Sequence, residues 1–151
     1  MAVAGSVSID ALAEQSGMRR IGPLTPESSD LGVLRDKRLT IHLLSGKALG
    51  SLLNGVDLVL SQAGTATVQA LGLGRPVISF RAPGDRASRF GAEQKLFGEA
   101  RVVCDRDPLA ISRTLERVLA DDAERLRLGQ IGPQRVGTSG VIDAVLAELR
   151  L

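Results

Sequence analysis

Short, almost continuous apolar runs are the feature that most constrains the fold of this chain. Three of them, separated by stretches with helical periodicity, are DLVLS at 57–61, PVISF at 76–80 and ARVVC at 100–104. A strand that is apolar at nearly every position must be covered on both faces, which is typical of parallel sheets with helices on either side. The sequence therefore predicts an α/β fold with a doubly wound, Rossmann-like parallel sheet.

Weaker signals extend this pattern along the chain. RLTIHLL at 38–44 is rich in apolar and β-branched residues and predicts a strand, and a shorter strand is predicted at 18–21. Prolines, serines and a glycine over 22–37 predict a loop. Helices are predicted at 6–17, 47–54, 65–72 and 88–97, from 107 onward, at 122–130 and at 139–150. A chain of 151 residues is expected to form a single domain over 1–151.

The composition excludes several functional classes. Lys and Arg number 19 against 17 Asp and Glu, and Trp and Tyr are absent, so nothing favours nucleic-acid binding. His42 is the only histidine, which excludes a zinc site built on several histidines within this chain. A single cysteine, and the lack of a signal-peptide pattern or a membrane-spanning run, predict a cytoplasmic protein.

The segment SQAGTAT at 61–67 falls where a predicted buried strand ends and a predicted helix begins. The first amides of a helix lack intrahelical partners and carry partial positive charge, and Gly64 would leave them open to a ligand. Thr65 and Thr67 can add hydroxyl donors, and Gln69 follows within the first turns. Because ligands of doubly wound folds bind beyond the carboxyl ends of the strands, the segment predicts an anion site. The alternative is that Gly64 only shapes a turn and a threonine caps the helix.

Two other glycine-containing segments do not match the nucleotide-binding motifs that they approach. SGKALGS at 45–51 contains the pair Gly46-Lys47, but the residue five positions before Gly46, where a P-loop requires its first glycine, is Ile41. GLGRPV at 72–77 has Val77 where a dinucleotide-binding fingerprint requires its third glycine, and it ends a helix instead of starting one. Neither segment is therefore interpreted as a phosphate loop.

Basic residues are in excess just after the predicted anion site. The stretch 75–101 contains six of them (Arg75, Arg81, Arg86, Arg89, Lys95 and Arg101) against Asp85, Glu93 and Glu99. This excess suits an anionic ligand or an acidic membrane surface. For any single arginine, a solvated position on a helix face is the simpler interpretation.

Taken together, DLVLSQAGTATVQALGLGRPVISF at 57–80 and APGDRASRFGAEQKLFGEARVV at 82–103 resemble the C-terminal half of a GT-B glycosyltransferase. The nearest resemblance is to the lipid-A-disaccharide synthase-related proteins, in which a GTAT helix start followed by a glutamine recurs. The similarity extends over nearly the whole chain and is clearest over 56–104. It implies a hexosyltransferase domain that binds a UDP-sugar donor, with no cofactor or metal.

The resemblance also assigns roles to individual residues. Gly64, Thr65 and Thr67 would face the diphosphate, and Gln69 stands where the synthase has a glutamate near ribose or sugar hydroxyls. Gln94 matches a glutamine that faces the donor sugar. Further contacts, to the uracil base, would come from the backbone of Ser45 and Gly46.

The resemblance implies a partner as well. In the GT-B fold an N-terminal domain holds the acceptor and usually the catalytic base, and the first strand of the C-terminal domain has no counterpart here. The chain is therefore expected to be an N-terminally truncated fragment that is inactive alone, with peripheral membrane association of the full enzyme. The alternative is a non-catalytic nucleotide- or anion-binding module that retains the fold.

Overall fold

The computed structural model describes residues 1–62, 64–137 and 146–148. The chain is α/β and divides into two compact units, Met1–Asn54 and Gly55–Leu151. Each unit has its own sheet. Within the described residues no helix combines the length and the apolar composition that crossing a membrane requires.

The first unit contains a mixed four-stranded sheet. Its strands are β1 (Ala2–Val3), β2 (Arg19–Ile21), β3 (Asp30–Arg35) and β4 (Thr40–Ser45), in the spatial order β1-β4-β3-β2. Only β1 and β4 are parallel, whereas β3 is antiparallel to both of its neighbours. The fully parallel sheet that we predict from the sequence is therefore not found in this unit.

Strand β3 lies within the stretch 22–37 that the sequence predicts to be a loop, and for these six residues that prediction is wrong. The register of β3 shifts between Asp30 and Gly32, and Gly32 has a φ of 105° with Ile21 O at 2.4 Å from where a Cβ would lie. Asp30 accepts hydrogen bonds from the backbone amides of Leu24, Thr25 and Gly32. The aspartate and glycine that suggest a loop instead build a β-bulge.

Helix α1 (Ile9–Ser16) covers the sheet of the first unit. Ser8 caps its start by accepting from the Ala11 amide, and Gly17 ends it with a φ of 65°, at the predicted end of the helix at 17. Ile9 and Leu12 pack against the cluster of Val3, Leu34 and Leu43. A 3-10 turn (Gly46–Ala48) and the short helix α2 (Leu49–Asn54) complete the unit.

The second unit contains the predicted parallel sheet. Its strands are β5 (Val59–Leu60), β6 (Val77–Phe80) and β7 (Arg101–Cys104), in the order β5-β6-β7. Both pairings are parallel, and each strand lies inside one of the three apolar runs. This unit is roughly Rossmann-like.

Among the described residues, the second unit has four helices of nine residues or more, α3 (Gly64–Gly72), α4 (Ala87–Phe97), α5 (Pro108–Ala120) and α6 (Asp122–Val136), and a 3-10 turn at Gly98–Ala100. Asp107 and Asp121 cap α5 and α6 by accepting from backbone amides of the first turn. Helix α6 runs six residues beyond the predicted end at 130. The helix predicted at 139–150 lies outside the described residues except for 146–148, which are helical.

Helices cover both faces of the parallel sheet. On one face, Ile78 of β6 packs with Val118 of α5 and Leu128 of α6. On the other, the guanidinium of Arg101 lies 4.4 Å from the ring centroid of Phe90 and 5.2 Å from that of Phe97, both on α4. The layered arrangement fixes the starts of α3 and α4 near the carboxyl ends of the strands.

Helices α3 and α6 approach each other through glycines. A Cβ at Gly132 would lie 2.4 Å from Leu71 O, and one at Gly129 would lie 2.6 Å from Gly74 O. Such distances are possible only without a side chain, so Gly132 allows the two backbones to touch. This contact explains why α6 continues through residues that favour a helix end in isolation.

Candidate anion-binding cleft

A cleft of about 750 Å³ opens between the starts of α3 and α4 in the second unit. We call it the α3–α4 cleft. Its floor includes Thr67 and Ser79, near the ends of β5 and β6, and its walls include Gly64, Arg86, Arg89 and Glu93. The volume is typical of a site for a small molecule of nucleotide size.

The floor of the cleft is a set of hydrogen-bonded hydroxyl and amide groups. Thr67 is buried, and its hydroxyl donates to Ser61 Oγ at 3.1 Å. Gln62 Nε2 donates to Ser79 Oγ at 3.4 Å. These bonds orient the oxygens of the floor, and Thr67, a predicted site residue, is held in place by Ser61, which directly follows β5.

The start of α3 faces the cleft. Helix α3 begins at Gly64, which lines the cleft, and its first turn contains no acidic residue. The only atom within contact range of a Cβ at Gly64 is Arg89 Nη2, at 3.4 Å, among the described residues. An arginine side chain and the positive end of a helix thus meet at one wall.

The start of α4 contributes a second wall. The loop before it is closed by Asp85, whose carboxylate accepts from the Ala82 amide at 2.7 Å. Arg86 occupies the N-cap and makes no capping side-chain bond within the described residues, and the first turn of α4 has no acidic residue. By contrast α1, α5 and α6 all have a serine or aspartate that accepts from their first amides. The start of α4, whose residues line the cleft, therefore has no side-chain cap within the described residues.

An ion-pair network between Glu93 and Arg101 forms part of the cleft lining. Arg101 has only 3% of its side chain exposed, and it donates to Glu93 Oε2 at 3.1 Å, Gln94 Oε1 at 2.8 Å and Phe90 O at 2.9 Å. Burial lowers the pKa of the Arg101 guanidinium, whereas Glu93 acts in the opposite direction. The ordinary pKa of arginine is so high that the group stays cationic at neutral pH.

The same glutamate reaches the exposed wall of the cleft. Arg89 Nε donates to Glu93 Oε1 at 3.0 Å, one turn along α4. Among the residues that line the cleft, Arg86, Arg89 and Arg101 outnumber Asp85 and Glu93 by one charge. The cleft thus carries a modest positive excess, which suits an anionic ligand.

The structure places the predicted site residues in different settings. Gly64 and Thr67 line the cleft, and Thr65 lies exposed between them in the first turn of α3. Gln69 is exposed one turn later. Gln94 lies under the cleft wall, where Nε2 donates to Gly98 O and Arg101 O, each at 3.1 Å. Its assignment to a donor sugar stays a prediction.

Ser45 and Gly46 belong to the first unit. Ser45 ends β4 and Gly46 begins the 3-10 turn that follows. Ser45 Oγ is buried and has no hydrogen-bond partner in the described part of the chain. The predicted role of these two residues at a uracil base is not tested by this geometry.

Sequence reasoning missed the residues that α4 contributes. Arg86, Arg89 and Glu93 line the cleft although none of them follows a recognisable motif. The signal was the excess of basic residues over 75–101, of which three line the cleft. This excess does not show which arginines line the cleft, because the side of α4 that faces inward depends on how α4 packs on Arg101.

No protein-family model matches the chain, and no curated protein or solved structure matches it either. Within residues 1–62, 64–137 and 146–148, no three His, Cys, Asp or Glu side chains are grouped so that they could hold a metal ion. The chemistry of the cleft is that of its own donors: helix amides, hydroxyls and guanidinium groups. These groups are suited to binding phosphate.

Proposed function

We propose that the α3–α4 cleft binds the diphosphate of a UDP-sugar, and that this chain is the donor-binding part of a hexosyltransferase of the GT-B type. The proposed relatives are the lipid-A-disaccharide synthase-related proteins. In this scheme a separate acceptor-binding domain is the partner and supplies the catalytic base. The chain alone would bind the donor and transfer no sugar.

The observation that carries the proposal is the convergence of two helix starts and two arginines on one cleft of about 750 Å³. Gly64 leaves the first turn of α3 open, and Arg89 lies against it. Arg86 and Arg89 line the same space. Phosphate groups are favoured where helix amides and guanidinium groups point at the same position.

The proposed mechanism is electrostatic. Sugar transfer from a UDP-sugar leaves negative charge on the departing diphosphate, and donors that are already oriented stabilise that charge without rearranging solvent. Each interaction of the diphosphate with a helix start contributes about 0.3 to 2 kcal/mol. Gly64, Arg86 and Arg89 would therefore act on the leaving group, and no residue of this chain is assigned as nucleophile or base.

A second candidate is a non-catalytic nucleotide- or anion-binding module. The observation that favours it is the position of Gln94, whose amide hydrogen-bonds to Arg101 and to two backbone carbonyls. A residue used in this way supports the cleft wall more directly than it recognises a sugar. In this reading the sugar of a UDP-sugar would add nothing to binding.

Isothermal titration calorimetry with UDP, UDP-sugars, inorganic pyrophosphate and uridine tests both candidates. We expect the diphosphates to bind and uridine not to bind, with Arg89→Gln weakening diphosphate binding about tenfold, which corresponds to one charge-assisted hydrogen bond. Lys95→Gln is the matched control, because Lys95 is exposed on the same helix and does not line the cleft. Failure of every diphosphate to bind would refute the proposal, and equal affinity for pyrophosphate and UDP-sugars would favour the module.

A further inference from the structure

Glu93 is the one carboxylate of the α3–α4 cleft that pairs with arginines. Its Oε1 accepts from Arg89 at 3.0 Å and its Oε2 accepts from Arg101 at 3.1 Å. Asp85, the other acidic residue of the cleft, instead accepts from the Ala82 amide. The two carboxylates therefore have the same charge and different partners.

The two arginines that Glu93 joins are not equivalent. Arg101 is held by Gln94, Phe90 O and two aromatic rings in addition to Glu93. Arg89 has 74% of its side chain exposed, and Glu93 is its only hydrogen-bond partner in the described part of the chain. A ligand anion can therefore replace Glu93 as the hydrogen-bond partner of Arg89 without breaking the bonds of Arg101.

The orientation of Arg89 brings the ligand and Glu93 close together. Nε points at Glu93, while Nη2 lies 3.4 Å from where a Cβ of Gly64 would be, at the start of α3. An anion seated on that helix start and on Arg89 would share one guanidinium with the carboxylate. The anion and the Glu93 carboxylate would then lie on either side of the same guanidinium and repel each other, and this repulsion grows with the negative charge of the ligand.

We infer that Glu93 sets the amount of negative charge that the cleft accepts, and so discriminates between the intact UDP-sugar and released UDP. This inference rests on the proposed function. The diphosphate of a UDP-sugar is esterified at both ends, whereas UDP has a terminal phosphate that carries about one more negative charge at neutral pH, since its last pKa is near 6. Glu93 disfavours the more highly charged product, and Arg89 returns to Glu93 when UDP leaves.

Glu93→Gln tests the inference, because glutamine removes the charge at nearly the same size and keeps one acceptor oxygen, which can bond to either Arg89 or Arg101 but not to both. We expect it to raise the affinity for UDP and for pyrophosphate roughly three- to tenfold at pH 7.5, with a smaller increase for UDP-sugars. At pH 5.5, where the terminal phosphate is largely protonated, the difference between UDP and UDP-sugars should shrink. Asp85→Asn removes the same charge from the same cleft and should change each affinity less than about twofold, as its carboxylate faces the loop backbone.

An equal gain for UDP and UDP-sugars in Glu93→Gln, or an equal gain in Asp85→Asn, would overturn the inference while leaving the proposed function intact. If neither the wild-type chain nor Glu93→Gln binds any diphosphate, the proposed function fails and the inference fails with it. Should Glu93→Gln not fold, the nuclear magnetic resonance signals of the arginine Nε–H groups in the wild-type chain give a second measurement. We expect UDP to shift the Arg89 Nε–H signal and to leave that of Arg101 in place, and an unchanged Arg89 signal at saturation would overturn the inference.

Discussion

Replacement of Gly132 by alanine is predicted to destabilise the second unit, although alanine is the better helix former. A Cβ at this position would lie 2.4 Å from Leu71 O, 3.1 Å from Leu71 C and 3.2 Å from Leu71 Cα. All three are backbone atoms of a fully buried residue, so a change of side-chain rotamer cannot relieve the overlap. Ordinary contact begins near 3.4 Å, so α3 and α6 would have to separate by 3.4 − 2.4, or about 1.0 Å.

The magnitude follows from a comparison with Gly91, which is exposed within α4 and has nothing within 4 Å of its Cβ position. Both substitutions gain about 1 kcal/mol of helix propensity. Only Gly132→Ala adds the cost of overpacking, which is about 1 to 3 kcal/mol. The free energy of unfolding of Gly132→Ala should therefore lie about 1 to 3 kcal/mol below that of Gly91→Ala.

Urea denaturation followed by far-ultraviolet circular dichroism measures this difference, because the chain has no Trp or Tyr to report by fluorescence. The dependence of the unfolding free energy on urea should be the same for both variants if only stability changes. A Gly132→Ala variant as stable as Gly91→Ala would refute the close contact between α3 and α6.

Two further predictions concern the cleft and the first unit. Gly64→Ala should leave the free energy of unfolding unchanged or slightly higher, because its Cβ would meet only the end of the Arg89 side chain at 3.4 Å. It should weaken UDP binding at least about tenfold, because the added methyl group blocks the helix start. Gly91→Ala is the control, and UDP binding by Gly64→Ala that is unaltered in calorimetry would contradict the site. Hydrogen bonds from the amides of Gly32, Thr25 and Leu24 lower the pKa of Asp30, so its stabilising effect is complete above about pH 4 and is lost as the pH falls through the lowered value. Asp30→Asn should therefore be less stable than the wild type at pH 7 and lose less stability between pH 4 and pH 2, as thermal melts over that range would show; parallel pH profiles would contradict this.

The parallel sheet of the second unit could be predicted because its strands are local apolar runs. β5, β6 and β7 each lie within a run that is apolar at nearly every position, and a helix follows each one. Caps are local signals of the same kind, since Ser8 and Asp107 precede helix starts and accept from their amides. Signals of this kind depend on a few neighbouring residues, so no knowledge of distant packing is needed.

Strand β3 could not be predicted in the same way. Asp30 and Gly32 are typical of turns, and their role in a bulge becomes clear only when β3 is paired with β2 and β4. The end of α6 was missed for a similar reason. Gly132 and Pro133 favour a helix end in isolation, whereas the contact with Leu71 O requires a glycine within the helix.

The candidate site was only partly accessible from the sequence. Gly64 and Thr67 follow from the strand-to-helix junction, and both line the cleft. The inward position of Arg101 depends on its pairing with Val77 across the sheet and on the two rings of α4. A buried arginine at a strand start has no local signature, so Arg89 and Glu93, which depend on it, had none either.

The glycine contact between α3 and α6 holds one end of α3 in place, so a small tilt of α3 moves its other end. Its far end is fixed against α6 at Leu71, and its near end, at Gly64, forms a wall of the cleft. Nine residues of helix span about 13 Å, so a tilt of only about 5° at the fixed end moves the near end by about 1 Å. Substitutions in α6 that touch no ligand should therefore tune ligand affinity, and selection for tighter or weaker binding can act on a helix that lies outside the cleft.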